Sequence, residues 1–220
     1  MAYRHGKGKG CFDDLNSASI QRGIGDCVAY ARQVHSSVNI FVDSPGFSGE
    51  GDGLITDHPE VVLAIQVADC VPIFVAEKSG KARGLIHAGW KGSAANIVRK
   101  GVELMVSELG AVVTNLHCLL GPSIRSCCYE IKDDVAEQFQ SHYLTECGGN
   151  SYTLDLHMAN LDQLIEAGVR NENIRFHKRC TCCSRNGLHS FRRNGEMAGR
   201  NICFLSGKED SDRYGVTCRR

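Results

Sequence analysis

Two histidines and a cysteine carry the chemistry this sequence offers most directly. His35 follows Gln33-Val34, Cys70 follows an apolar run, and His87 ends another. Strand ends and the loops after them are where α/β folds place reactive groups. Two imidazoles and a thiolate supply three ligands and leave a fourth position open, the pattern of a catalytic rather than a structural zinc site. A water in that position would have a pKa of roughly 7 and give hydroxide at neutral pH. Two metal-free readings stand beside this one. The three are unrelated buried residues, or Cys70 is a nucleophile served by His87 as base, with His35 left without a role. Asp69 would then orient the base, although neighbours on an extended chain point apart.

His87 opens the loop His87-Ala88-Gly89-Trp90-Lys91-Gly92, and Ser93 reads as the N-cap of a helix running to Leu109. Gly89, Gly92 and Ser93 would present backbone N–H groups and a positive helix end to an anion such as phosphate. Lys91, with Arg4 or Arg192, would add charge. The plainer reading is a tight turn with a solvated lysine. Asp52 and Asp69 are candidates for the carboxylate to which a metal-bound imidazole donates its second N–H, and equally for turn residues. Trp90, the only tryptophan, suits stacking on a purine or packing in the core.

Two further clusters are weighed and set aside. His58-Pro59-Glu60 lacks the Pro-Cys-x-x-Cys half of a deaminase zinc motif. Cys180, Cys182 and Cys183, with His177 and His189 nearby, are read as packing or incidental thiols rather than a second zinc site. The adjacent Cys127 and Cys128 are read as structural.

The elements that must position these residues follow from the apolar pattern. Val61–Val67 and Val71–Ala76 are rich in β-branched residues and predict buried strands, with Ala68-Asp69-Cys70 at their junction, and Ala82–His87 reads as a third strand. Ile97, Gly101, Val102, Met105 and Leu109 repeat at helical spacing, and Gly110 supplies the stop. Leu116–Leu120 reads as a strand, Lys132–Gln140 as holding a short helix, and Leu156–Ala167 as a helix capped by Asp155. Residues 1–32 read as loops and short strands near the surface. The irregular alternation predicts an α/β fold with a mixed sheet.

The chain has 220 residues, 42% of them hydrophobic, and no formal net charge. Neutrality argues against nucleic acid or an anionic membrane as partner. No apolar run is long enough to span a bilayer, and the N-terminus lacks a signal-peptide core, so a cytoplasmic location is expected. The twelve cysteines are then expected to be mostly reduced and buried. The length suits a single domain over 1–220, present as a monomer or homodimer.

Several motifs together resemble the YfiH/YlmD family. They are Ala68-Asp69-Cys70-Val71-Pro72, His87 to Gly92, Gly121-Pro122-Ser123-Ile124 and Cys128-Tyr129-Glu130. Leu154-Asp155-Leu156, Ala159-Asn160, Gln163-Leu164, Cys180-Thr181 and Ser190-Phe191-Arg192-Arg193 continue the match in order. The resemblance implies mixed β-sheets flanked by helices, a YfiH-like (cysteine-hydrolase-like) fold. It implies His35, Cys70 and His87 as ligands of one zinc per chain. It also implies purine nucleoside phosphorylase activity on adenosine, inosine and methylthioadenosine, with adenosine deaminase activity. The older family label, multicopper polyphenol oxidase or laccase, makes copper the alternative. Yet four coppers need roughly ten imidazoles, usually in close pairs, and nine histidines include no His-x-His. A Cys/His hydrolase and a non-catalytic metal-binding module complete the alternatives. Arg4-His5-Gly6, Phe12 to Asn16 and Gly25-Asp26 look like the family's N-terminal elements. The stretch from Asp26 to Gln33 is shorter than the family's, which implies a missing helix.

Overall fold

The computed structural model describes residues 25–184 and 187–207. A single 3-10 turn, Gly25–Cys27, runs directly into β1 (Val28–Arg32). Then come β2 (Asn39–Phe41), β3 (Gly46–Glu50), β4 (Gly53–Thr56), β5 (Val62–Val67), β6 (Val71–Glu77) and β7 (Arg83–Ala88). After them lie α1 (Trp90–Ala94), α2 (Ile97–Leu109), β8 (Leu116–Leu120), β9 (Glu130–Lys132) and α3 (Asp133–Ala136). The remaining elements are β10 (Leu144–Glu146), β11 (Ser151–Leu154), α4 (Leu156–Glu166), β12 (Ile174–Phe176), α5 (Phe191–Asn194) and β13 (Asn201–Leu205).

The strands form a six-stranded sheet in the order β12-β8-β6-β7-β4-β2, a four-stranded sheet β13-β5-β1-β3, and a small sheet β10-β11-β9. The two larger sheets are mixed: β1 runs parallel to β3 and β5, while β6 runs antiparallel to β7 and β8. The fold is therefore α/β with mixed sheets and few helices, as the sequence predicts.

Alternation along the strands sorts the core into layers. Ile73, Val75 and Ile86 pack with Ile97, Val102 and Met105 of α2 and with Leu156 and Leu164 of α4. Phe74 and Leu85, one residue out of phase, turn to the opposite face and meet Ala29, Leu63 and Ile65 of the four-stranded sheet. Helices, the six-stranded sheet and the four-stranded sheet thus lie in succession. Each large aliphatic side chain buried there contributes about 1.5–3 kcal/mol.

Two expectations need correction. Val28, Ala29 and Ala31 are buried, so the end of the 1–32 stretch is a short strand in the core rather than near the surface. Five residues with two small alanines carry too little pattern to announce it. Ser93 is not a helix N-cap. It lies inside α1, and the helix breaks at Asn96, whose φ of 60° is left-handed. The break is held by α4: Ser93 Oγ donates to Asn160 Oδ1 at 3.0 Å, and Gln163 Nε2 donates to the Ser93 carbonyl at 2.8 Å. Gln163 Oε1 accepts from the Val98 amide at 3.1 Å. The predicted stops do form: Gly110 sits at φ 62° beyond α2, and the Asp155 carboxylate accepts from the Met158 amide at 3.0 Å.

Candidate functional site

Three chain crossings between the two large sheets build one rim. β1, β3 and β5 are parallel, so their C-terminal ends coincide. The chain leaves each for the six-stranded sheet. The crossing from β1 to β2 carries His35, that from β3 to β4 carries Asp52, and that from β5 to β6 carries Asp69 and Cys70. β7 runs antiparallel to β4 and brings His87 up to the same rim. The donor atoms of His35, Cys70 and His87 all lie within 4.8 Å of one another. Cys70 Sγ is 3.9 Å from His35 Nε2, and the two imidazole rings meet edge to face at 4.9 Å.

Asp52 is the brace behind this group. It is buried, and its carboxylate accepts from the amides of Val34, His35 and Ser36 at 3.3, 3.0 and 2.6 Å and from Ser36 Oγ at 2.7 Å. Those bonds hold His35 at a left-handed φ of 59°. The same carboxylate takes His87 Nδ1 at 2.8 Å, which leaves Nε2 of that ring for Cys70. Burial alone would raise the Asp52 carboxyl, but hydrogen bonds from His87 and Ser36 hold it at about 2. Burial would likewise raise the Cys70 thiol; the charge of His87 and the hydrogen bond with His35 outweigh this and hold it at about 6. His87 is pushed down by burial and up by the Cys70 charge and Asp52, and stands at about 9. Without a cation these side chains favour carboxylate, imidazolium and thiolate together. Two imidazoles and a thiolate also suit zinc or copper.

The glycine loop after His87 serves close packing. A Cβ on Gly89 would lie 2.9 Å from His35 Cδ2 and 3.1 Å from Cys70 Sγ. One on Gly92 would lie 2.8 Å from the Ser36 carbonyl. Both positions therefore keep space for the His35 loop. The Ser93 amide donates to the Gly89 carbonyl at 2.8 Å and its hydroxyl to Asn160, so Ser93 has nothing left to offer phosphate. Lys91 is exposed and lies 5.5 Å from the Trp90 ring. Arg4 lies outside the described residues.

Asp69 does a different job from Asp52. Its φ is 86°, and its carboxylate accepts from Thr181 Oγ1 at 2.5 Å, Ser190 Oγ at 3.0 Å and the Arg192 amide at 2.6 Å. It ties the segment of residues 181–192 to the Cys70 turn rather than orienting an imidazole. Above the rim lies a cleft of about 500 Å³ reached by all three donor residues and lined by Trp90, Tyr129, Phe191 and Arg192. Arg192 lies over the Tyr129 ring at 5.4 Å and donates from Nη2 to the Glu130 carbonyl at 2.8 Å. Gln33, Gln66 and Arg200 line the cleft as well and were missed. Gln33 and Gln66 are joined by two bonds of 2.8 Å, which pins the start of the His35 loop to β5. The neighbouring sequence of Arg200 carries no signal for its place.

The late cysteines have partners that the sequence did not join to them. Cys180 and Cys183 meet Cys127 and Cys128, and all four sulfurs lie within 4.8 Å of one another. Neither His177 nor His189 belongs to that group, and nor does Cys182.

Fold and site define a class: an α/β protein of mixed sheets with a His-Cys-His donor set under a cleft. Residues 15–207 match the family described as multi-copper polyphenol oxidoreductase laccase, and the chain belongs to that family. The purine nucleoside phosphorylase YlmD of Geobacillus stearothermophilus is 32% identical over 207 residues, 91% of this chain and 72% of that protein. Adenosine deaminase RL5, from an unknown prokaryotic organism, is 32% identical over 159 residues, 69% of this chain and 60% of that protein. The crystal structure of YlmD from G. stearothermophilus superposes with a TM-score of 0.85 at 28% identity, over 94% of this chain and 88% of that one. The resemblance read from the motifs is borne out. No helix among the described residues is long and apolar enough to cross a membrane.

Proposed function

We propose that the chain is a purine nucleoside phosphorylase with adenosine deaminase activity, working at one zinc ion held by His35, Cys70 and His87. The observation that carries this reading is the convergence of those three donors, within 4.8 Å, beneath a cleft of nucleoside size. The names of the relatives point the same way. Zinc bound there would act as a Lewis acid and lower the pKa of water at its open position.

The chain's own residues have separable tasks in this reading. Asp52 keeps the His87 proton on Nδ1 and so presents Nε2. Trp90, Tyr129 and Phe191 offer flat apolar surface to a purine. Arg192, expected from the sequence, and Arg200 supply the positive charge for phosphate in place of Lys91. In phosphorolysis a phosphate oxygen forms a bond to C1′ of the ribose as the C1′–N bond to the base breaks, and the departing base takes a proton. In deamination water replaces the exocyclic amine, which leaves as ammonia.

A second reading has its own observation. Cys70 held at about 6 beside a protonated His87 is the pairing of a cysteine hydrolase. One experiment separates them: adenosine turnover with and without phosphate, before and after chelation, on protein of measured metal content. Phosphate-dependent adenine that disappears with zinc and returns on its addition supports the proposal, and inosine reports the deaminase. Turnover unaffected by removing zinc defeats the metal reading and leaves the thiolate as the reactive group.

A further inference from the structure

We propose that Cys127, Cys128, Cys180 and Cys183 form a second, structural metal site that holds one zinc ion through four thiolates. This does not rest on the proposed activity. The four Sγ atoms all lie within 4.8 Å of one another. Cys127 is 3.7 Å from Cys128 and 3.8 Å from Cys183. A tetrahedron with Zn–S bonds of about 2.3 Å has edges of about 3.8 Å. A disulfide requires sulfurs about 2.05 Å apart, so the spacing excludes bonded pairs and fits ligands around a common centre.

Packing is a poorer account. Cysteine packs as a small buried hydrophobe, yet Cys127 and Cys183 are exposed and only Cys180 is buried. Cys180 and Cys183 are separated by two residues, the spacing of a zinc knuckle. Cys182 between them is outside the cluster, and its carbonyl accepts from Arg193 Nη1 at 2.9 Å.

Backbone hydrogen bonds shape both loops. The amides of Cys128 and Tyr129 donate to the Arg125 carbonyl, each at 2.9 Å. Thr181 donates to the Ser123 carbonyl at 2.9 Å, and Ser184 to the Cys180 carbonyl at 3.1 Å. Four protein ligands complete a zinc coordination sphere and leave no open position, which makes the site structural. On binding, each of the four thiols gives up its proton to solvent as its sulfur bonds the metal. The consequence reaches the cleft. Tyr129, next to Cys128, lines it, and Thr181, next to Cys180, holds the Asp69 carboxylate. The ion would clip the two loops together behind the Cys70 turn.

The test uses the full chain with the first donor set removed by His35→Ala and Cys70→Ala, purified with zinc and without oxidant. Elemental analysis should find one zinc per chain, and X-ray absorption a shell of sulfur alone at about 2.3 Å. Cobalt in its place should show sulfur-to-metal charge transfer. Adding Cys183→Ser should abolish the bound metal and lower the melting temperature, while Cys183→His should retain the metal. Should the double variant not fold, native mass spectrometry of the unsubstituted chain beside its Cys180→Ser, Cys183→Ser variant decides: one zinc ion fewer in the variant supports the site, and equal zinc content in the two overturns it. A folded double variant without metal overturns it too. So does trapping of Cys127 or Cys183 in a disulfide, or zinc that survives Cys180→Ser combined with Cys183→Ser.

Discussion

Cys70 stands beside two imidazoles under a cleft, whereas Cys180 stands beside three other thiols between two loops. A buried carboxylate braces the first group: Asp52 bonds three successive amides and His87 together. The second group relies on backbone turns that close over Arg125 and Cys180. One cluster has three donors and faces a space that a substrate can enter. The other has four, enough to complete a tetrahedral shell. Cysteine alone therefore predicts little; the partners around it and the position left open decide between chemistry and scaffolding.

The largest effect should come from the first group. His87→Ala is expected to reduce phosphate-dependent adenosine turnover by about a thousandfold or more, since a catalytic metal is worth several kcal/mol and each 1.36 kcal/mol is tenfold. Cys183→Ser should instead lower the melting temperature and leave the zinc of the first site bound. Comparing kcat/KM with thermal melts for the two variants checks this. A Cys183→Ser protein that melts normally but is as inactive as His87→Ala would erase the distinction.

Asp52→Asn sharpens the same contrast at smaller size. The amide keeps the shape but cannot serve as an anionic acceptor for His87 Nδ1 and the amides of residues 34–36. A loss of about 10- to 100-fold in zinc affinity or activity is expected, as for other groups that orient metal-bound imidazoles. Competition with a chromophoric chelator measures the affinity. Unchanged affinity would mean that Asp52 only shapes the loop.

The sequence revealed the first group far better than the second, for physical reasons. The apolar strands β5 and β6 are legible because buried β-branched runs leave a strong pattern, and the resemblance brought His35, Cys70 and His87 together. Asp52 was named as a candidate, but nothing local separates a carboxylate that meets an imidazole from one that holds turns. Asp69 shows the difference, since its partners Thr181 and Ser190 lie more than a hundred residues away in the chain. The four-thiol cluster was hidden for the same reason: the loops of residues 127–128 and 180–183 are brought together beside the bridge of Ser123 to Cys180, which local periodicity cannot express. Ser93 was misread because its hydroxyl is the usual sign of an N-cap, while the asparagine and glutamine that claim it belong to α4.

Reactivity toward an alkylating agent sets the two kinds of thiol apart without any substrate. In metal-stripped protein, Cys70 is held at about 6 although burial opposes its charge, because His87 and His35 favour the thiolate. Its alkylation should fall as pH drops below about 6 and be nearly level above about 7. Cys118, pushed up to about 12 by burial alone, should stay unmodified across that range. Mass mapping after brief iodoacetamide treatment reads both. A Cys70 profile still rising between pH 7 and 9 would show that the imidazoles do not support the thiolate, and zinc added beforehand should protect it.

The smallest effect tests where the scaffold begins. Ser93 is buried, donates to Asn160 Oδ1 at 3.0 Å, and presents its carbonyl to Gln163. Ser93→Ala removes one buried hydrogen bond and leaves an acceptor on Asn160, a cost of about 1–3 kcal/mol. The backbone bonds of α1, including Ser93 to the Gly89 carbonyl, survive the change. Stability measured in denaturant should therefore fall while the KM for phosphate stays within about twofold, roughly 0.4 kcal/mol. A tenfold rise in that KM at unchanged stability would return Ser93 to the anion-binding role and move α1 from the scaffold to the site.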